Sequence, residues 1–343
     1  MGRLDDYRTA MLVADPDVST STLLGALDAA GPDFDEFVID HGLGPMWHER
    51  TGSPDFHQSR VTAEALYMAQ EQALADVTSA LGKPGIDYAV IKGAATRLTL
   101  YDNPALRACH DIDLIVRPDD RVAAASALVD IGFTVVPDTR SISRELVLSR
   151  SDADIDLHWQ LLREGRLRQE CVPDMLNRCV REQGVRVLNA NDALFVLLVH
   201  PAFAKHLAGW DMGLHRVADI VACLLEGRFH WQAVHEQLRE NGVATAAWAT
   251  LRWVQFLTEP QPLPGLASML ADLEPGHLRR LWIEFWMRQN LSARLSGSHL
   301  LRLAGFSFFL HDTPADAFRA FSARIEAYRR RADDLAAFAE LTG

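Results

Sequence analysis

Two carboxylates, Asp111 and Asp113, interrupt the otherwise apolar run Ile112, Leu114, Ile115 and Val116. In a β-strand that spacing sets both acids on one face while the apolar side chains keep a core. Like charges about 4 Å apart at an effective dielectric of about 20 repel by roughly 4 kcal/mol. A shared proton, a basic neighbour or a divalent cation has to offset that, and for hard oxygen donors Mg2+ is the expected cation. Further along, Asp154, Asp156 and His158 alternate with Ile155 and Leu157. A second strand therefore presents acids on one face, and either Asp154 or Asp156 can supply a third carboxylate.

These acids need elements to hold them. Gly82, Lys83, Pro84 and Gly85 break a helix ahead of a strand over 87–91, and Lys92, Gly93 and Ala94 then form a glycine turn, with a helix starting just after Gly93. Main-chain N–H groups at such a turn, with the positive end of the helix, make an anion site that a phosphate can approach closely where a β-carbon would intrude. Lys92 is read as a point charge for a phosphate, the alternative being a surface lysine. Arg107 follows the Asn103, Pro104 turn signal and precedes Asp111 by four residues. It is read either as a bidentate phosphate clamp or as a salt-bridge partner of the metal acids. After the acidic strand, Pro118 opens a helix over 119–131, Gly132 ends it, and strands follow at 133–135, 145–148 and 154–159.

Either side of this stretch reads as helical. Apolar spacing in Leu23, Leu24 and Leu27, and in Ala65, Leu66, Ala69, Ala73, Leu74 and Val77, makes 1–80 helical around a Gly/Pro-rich loop at 41–56. His41, His48 and His57 lie in or near that loop and are expected to be surface histidines. From about 166 the helical pattern returns: 191–200, capped by Asn191 or Asp192 and stopped by Pro201, then 214–225, 231–238 and 246–257. A proline-rich break at 260–264 leads to an aromatic-rich tail, 277–343, expected to pack on the helical region.

Composition bounds the partners. The 343 residues are 48% hydrophobic and 23% charged, as in a globular protein. A formal net charge of −12 disfavours broad binding of nucleic acid. No apolar run approaches the roughly 18 residues of a membrane span, and no signal peptide is read at the N-terminus, so a cytoplasmic location is expected. Cys109, Cys171, Cys179 and Cys223 show no C-x-x-C spacing and are expected to be reduced.

The residues resemble the nucleotidyltransferase superfamily, of DNA polymerase beta-like fold, whose hallmark is a glycine turn, an acidic D-x-D strand and a third acid on a later strand. More narrowly, Lys92-Gly93-Ala94, Leu100-Tyr101, Pro104, Leu106-Arg107, Asp111 to Leu114 and Leu157-His158-Trp159 are similar to bacterial nucleotidyltransferases with the pattern KGA…LY…P…LR…DIDL…LHW. The resemblance implies an α+β fold: a small mixed-sheet catalytic core at 81–165, an N-terminal helical region at 1–80 and a larger C-terminal helical domain at 166–343. It selects Asp156, two before the histidine of L-H-W, over Asp154 as third acid. It further implies two Mg2+ ions on Asp111, Asp113 and Asp156, with Lys92, Gly93, Ala94, Arg107 and His206 gripping the nucleotide. His200, Lys205, Asp219 and Ile220 match an H…KH…D-I segment that could touch base, ribose or acceptor. The implied reaction moves a nucleoside monophosphate from a triphosphate, ATP first among them, to a hydroxyl of a small molecule or peptide. A tRNA-modifying, toxin-type enzyme and a non-catalytic nucleotide binder are the alternatives. The chain departs from the wider pattern at Ala94, where many relatives carry Ser, and at His110, where close relatives often have a small residue.

Overall fold

The computed structural model describes residues 4–136, 144–207, 213–259, 263–338 and 341. Its centre is a mixed seven-stranded sheet in the order β3-β4-β5-β2-β1-β7-β6. The strands are β1 (Tyr88–Ile91), β2 (Asp111–Val116), β3 (Thr134–Val135), β4 (Glu145–Arg150), β5 (Ala153–His158), β6 (Val180–Glu182) and β7 (Val185–Val187). β2 runs antiparallel to β1 and parallel to β5, while the β6–β7 hairpin adds to the β1 edge. Two strands thus lie beyond residue 165, and the sheet reaches past the 81–165 stretch.

Period-two alternation decides the two faces. Ile112, Leu114 and Val116 bury into one core with Leu74, Val77 and Leu81 of the helix His57–Gly82 and with Ala124, Ala125 and Leu128 of the helix Arg121–Val129. Ala89, Ile91 and Ile115 belong instead to the second, mostly helical core. That core joins Tyr7, Trp47 and Phe56 of the N-terminal segment to Leu198 of the helix Ala190–Ala204, Ile220 of Leu214–Glu226 and Trp248 of Ala244–Thr258. The N-terminal helices up to Phe56 therefore share their apolar interior with the C-terminal helical region on one face of the sheet, while His57–Gly82 and Arg121–Val129 cover the other.

Three local expectations are corrected. The loop at 41–56 contains the helix Gly44–Thr51, because Pro45 stands in its first turn, where no amide donor is needed. His41 is 1% exposed rather than on the surface, and burial pushes its imidazole down to about 4. The helix at 190 is capped by Asn189, whose side chain accepts from the amides of Asn191 and Asp192, and it continues through Pro201 to Ala204. Trp210 and residues 260–262 of the proline-rich break lie outside the described residues. All four cysteines are free, and among the described residues no helix is long and apolar enough to cross a membrane.

Candidate active site

The pairing of β2 with β5 assembles the acids. Asp111 is opposite Asp154, Asp113 opposite Asp156, and Ile115 opposite His158. Residues opposite one another in a parallel pair point to the same face, so acids 43 positions apart in sequence become neighbours. One ligand atom each from Asp113, Asp156 and His158 falls within 4.8 Å of the others. Asp111 stays outside that trio, although its charge still acts on Asp156. Asp154, the alternative third acid, is exposed and accepts a hydrogen bond from Ser149 Oγ at 2.6 Å.

Asp113 is the best-supported acid. Lys92 Nζ donates to its Oδ1 at 2.5 Å, and His158 Nε2 lies 2.8 Å from the same oxygen. Burial works against its charge, yet Lys92 and His158 hold its carboxyl well below the usual carboxylate range. Asp156 has the opposite fate: burial first, then the charge of Asp113, push its carboxyl up to about 6. Two carboxylates in register thus have separated proton affinities, an arrangement that suits one anchor and one proton acceptor. On the other side of the ring, Glu145 Oε2 lies 3.1 Å from His158 Nδ1. The alternation of Asp154, Asp156 and His158 was the signal that could have placed His158 among the site residues.

Lys92 opens the helix Lys92–Leu100 with φ of +54°, a left-handed conformation that costs a non-glycine residue of order 1 kcal/mol or more. That backbone turn delivers its ammonium to Asp113 at the cleft, so the lysine is not on the open surface. Gly93 lines the cleft, and a β-carbon there would come within 2.9 Å of Cys109 Sγ and 3.1 Å of Arg107 Nη2. Glycine is therefore required by the side chains packed against it. Ala94 is turned into the sheet core with Val90 and Ile112, so its methyl has no part in the cleft.

Arg107 does not pair with Asp111 or Asp113. Its Nε and Nη2 grip Asp219 of the helix Leu214–Glu226 at 2.8–3.1 Å, and Tyr101 donates to the same carboxylate at 2.9 Å. Arg107 and Asp219 are 5% and 1% exposed. Burial opposes the guanidinium charge, but Asp219 more than offsets it and raises the Arg107 pKa above its ordinary value. The Tyr101, Arg107 and Asp219 positions thus tie the sheet to the helical region. His206 is also drawn away: its Nδ1 lies 2.9 Å from Ser307 Oγ, and it does not line the cleft.

A cleft of about 260 Å3 opens in front of Asp111 and Asp113. Lys92, Gly93 and Arg107 line one side, and Leu197, His200, Pro201, His215 and Arg216 the other. Burial, aided by nearby Lys92 for His200 and by Arg107 for His215, pushes both imidazoles well below their ordinary pKa, so both are neutral at pH 7. His215 and Arg216 carried no signal in the sequence, since only the fold brings them opposite residues 107–113.

The profile of the uncharacterised nucleotidyltransferase family matches residues 50–258, more than half of the chain and every strand of the sheet. The chain belongs to this family. No curated protein and no solved structure matches it. As a nucleotidyltransferase it takes a nucleoside triphosphate, and the acids of β2 and β5 lie within the region that the family profile covers.

Proposed function

We propose that this nucleotidyltransferase is a divalent-metal enzyme that moves a nucleoside monophosphate from a triphosphate, ATP first among them, to a hydroxyl of a small molecule or peptide, releasing pyrophosphate. The observation that carries the reading is the trio Asp113, Asp156 and His158, with Asp113 facing the cleft. The donor set fits a hard divalent cation, with two carboxylates and an imidazole that widens the choice from Mg2+ toward Mn2+. The electrostatics fit as well: burial and then the charge of Asp113 keep the proton on Asp156 up to about 6, a conflict that a cation between the two carboxylates would relieve. Asp113 and Asp156 would hold the ion with Asp111 beside them, and the ion would neutralise phosphate charge and acidify the acceptor hydroxyl.

The chain's own residues do the rest. Asp156, with its proton affinity near neutrality, is suited to receive the hydroxyl proton. Lys92, the Gly93 amide at the start of the helix Lys92–Leu100, and Arg216 lie along one cleft where a triphosphate can be neutralised. The net charge of −12 favours a small or peptide acceptor over tRNA. The test is transfer of label from α-labelled triphosphates in cell extract with Mg2+ or Mn2+, comparing wild type with Asp113→Asn. Metal-dependent transfer of label to an acceptor that vanishes in the variant supports the proposal, and transfer that persists sinks the assignment of Asp113.

A further inference from the structure

A second cavity, of about 350 Å3, shares no residue with the catalytic cleft. It lies between residues 163–166, the helix His299–Gly305, the turn Ser307–Leu310 and the helix Pro314–Ala337. Its walls are mostly apolar, with Leu303, Phe308 and Phe318 among them, and Leu300 and Phe318 remain 75% and 62% exposed at its rim. Apolar surface left open around a concavity of this size is the usual form of a small-molecule site.

The polar lining is one-sided. Arg163, Arg166, Arg324 and His311 face a single acid, Glu164. Arg166 is 7% exposed, its guanidinium stacks on the Phe203 ring at 4.6 Å, and its Nη1 has no hydrogen-bond partner. Among the described residues no carboxylate forms an ion pair with it. Burial first, and then the charges of Arg163, Arg324 and Arg144, press its pKa down to about 9. A buried guanidinium surrounded by other guanidiniums is costly unless an anion completes it. An aromatic stack holds the plane but leaves N–H donors unused, and the fork geometry of those donors matches a carboxylate or a phosphate.

We propose that this cavity binds a small organic anion with an apolar body, its carboxylate or phosphate head among Arg163, Arg166 and Arg324 and its body against Leu303, Phe308 and Phe318. The volume suits one such molecule, the apolar walls take its body, and the unmatched arginines take its charge. The site is independent of the transfer reaction and stands whether or not the acids of β2 and β5 act as proposed.

Thermal unfolding and calorimetry of the full chain test it with four probes kept below micelle formation: decanoate, decyl phosphate, decanol and inorganic phosphate. Decanoate or decyl phosphate is expected to bind and raise the melting temperature, with the tighter of the two naming the head group, while decanol and inorganic phosphate alone give much smaller shifts. Arg166→Met is expected to weaken the anionic probe about tenfold or more, the effect of one lost charge-assisted hydrogen bond, without lowering the stability of the unliganded protein. Leu303→Trp, which fills the cavity and leaves the arginines in place, should remove binding as well, so the proposal does not hang on one variant folding. Equal binding of decanol, absence of binding by both anionic probes, or binding unchanged in both variants overturns it. A stable dimer in solution that Phe318→Ser dissociates would assign the face to a second copy of the chain and overturn it too.

Discussion

Replacing Asp156 by Asn is expected to make the metal-free protein more stable above pH 6 while removing nucleotidyl transfer. Asp156 stands opposite Asp113 across the parallel pair β2–β5, and burial together with that neighbour lifts its carboxyl from 3.8 to about 6. The folded protein thus keeps a proton on Asp156 at pH values where the unfolded chain has released it. Its stability contribution is fully present below about pH 4 and is lost as pH rises through about 6. A gap of about two pH units corresponds to about 3 kcal/mol, felt in full at pH 7.5 and about half at pH 5. Asparagine keeps the shape and carries no charge, so the variant escapes the loss. Urea unfolding of both proteins in EDTA at several pH values between 5 and 8 reads the difference. A variant less stable than wild type at pH 7.5, or a difference that does not grow with pH, would refute the like-charge account of this pair.

Other outcomes follow from the same geometry. Asp113→Asn should lower metal-dependent pyrophosphate release by about a hundredfold or more while circular dichroism stays native, because charge stabilisation at the reacting phosphorus is lost. Asp219→Asn leaves Arg107 buried without its charged partner and should cost about 3–5 kcal/mol in urea unfolding; a loss below about 1 kcal/mol would show that the pair is not desolvated as its burial implies. Gly93→Ala drives a methyl against Cys109 and Arg107, so a loss of about 1–3 kcal/mol and weaker triphosphate binding by calorimetry are expected, with an unperturbed variant contradicting the close packing. Below about pH 6, affinity for Mn2+ measured by calorimetry should fall as Asp156 takes up its proton, and a flat profile from pH 5 to 7 would remove Asp156 from the ion's ligands.

The strands that carry the acids were legible because alternation is local: Asp111 to Val116 and Ala153 to His158 each announce a buried and a polar face within six residues. What the sequence hid is mostly what depends on distance along the chain. Arg107 finds Asp219 112 positions away, and no spacing rule connects them. His215 comes beside the cleft because its segment packs on residue 41, whose carbonyl lies 3.1 Å from the His215 Nδ1. Other misses came from breakers in tolerated places. Pro45 stands in the first turn of Gly44–Thr51 and Gly52 ends that helix with φ of +68°, so the Gly/Pro content that reads as loop marks a helix and its cap. The β6–β7 hairpin is three residues a side, too short for alternation to show.

Pro201 has a consequence for the helix that walls the cleft. A proline inside a helix has no N–H to give the carbonyl four residues earlier, and here that carbonyl belongs to Leu197. Both residues line the catalytic cleft. The helix that walls the cleft therefore lacks one rung of its hydrogen-bond ladder at the level of the cleft. Pro201→Ala would restore the missing donor and complete that rung, leaving the acids of β2 and β5 untouched.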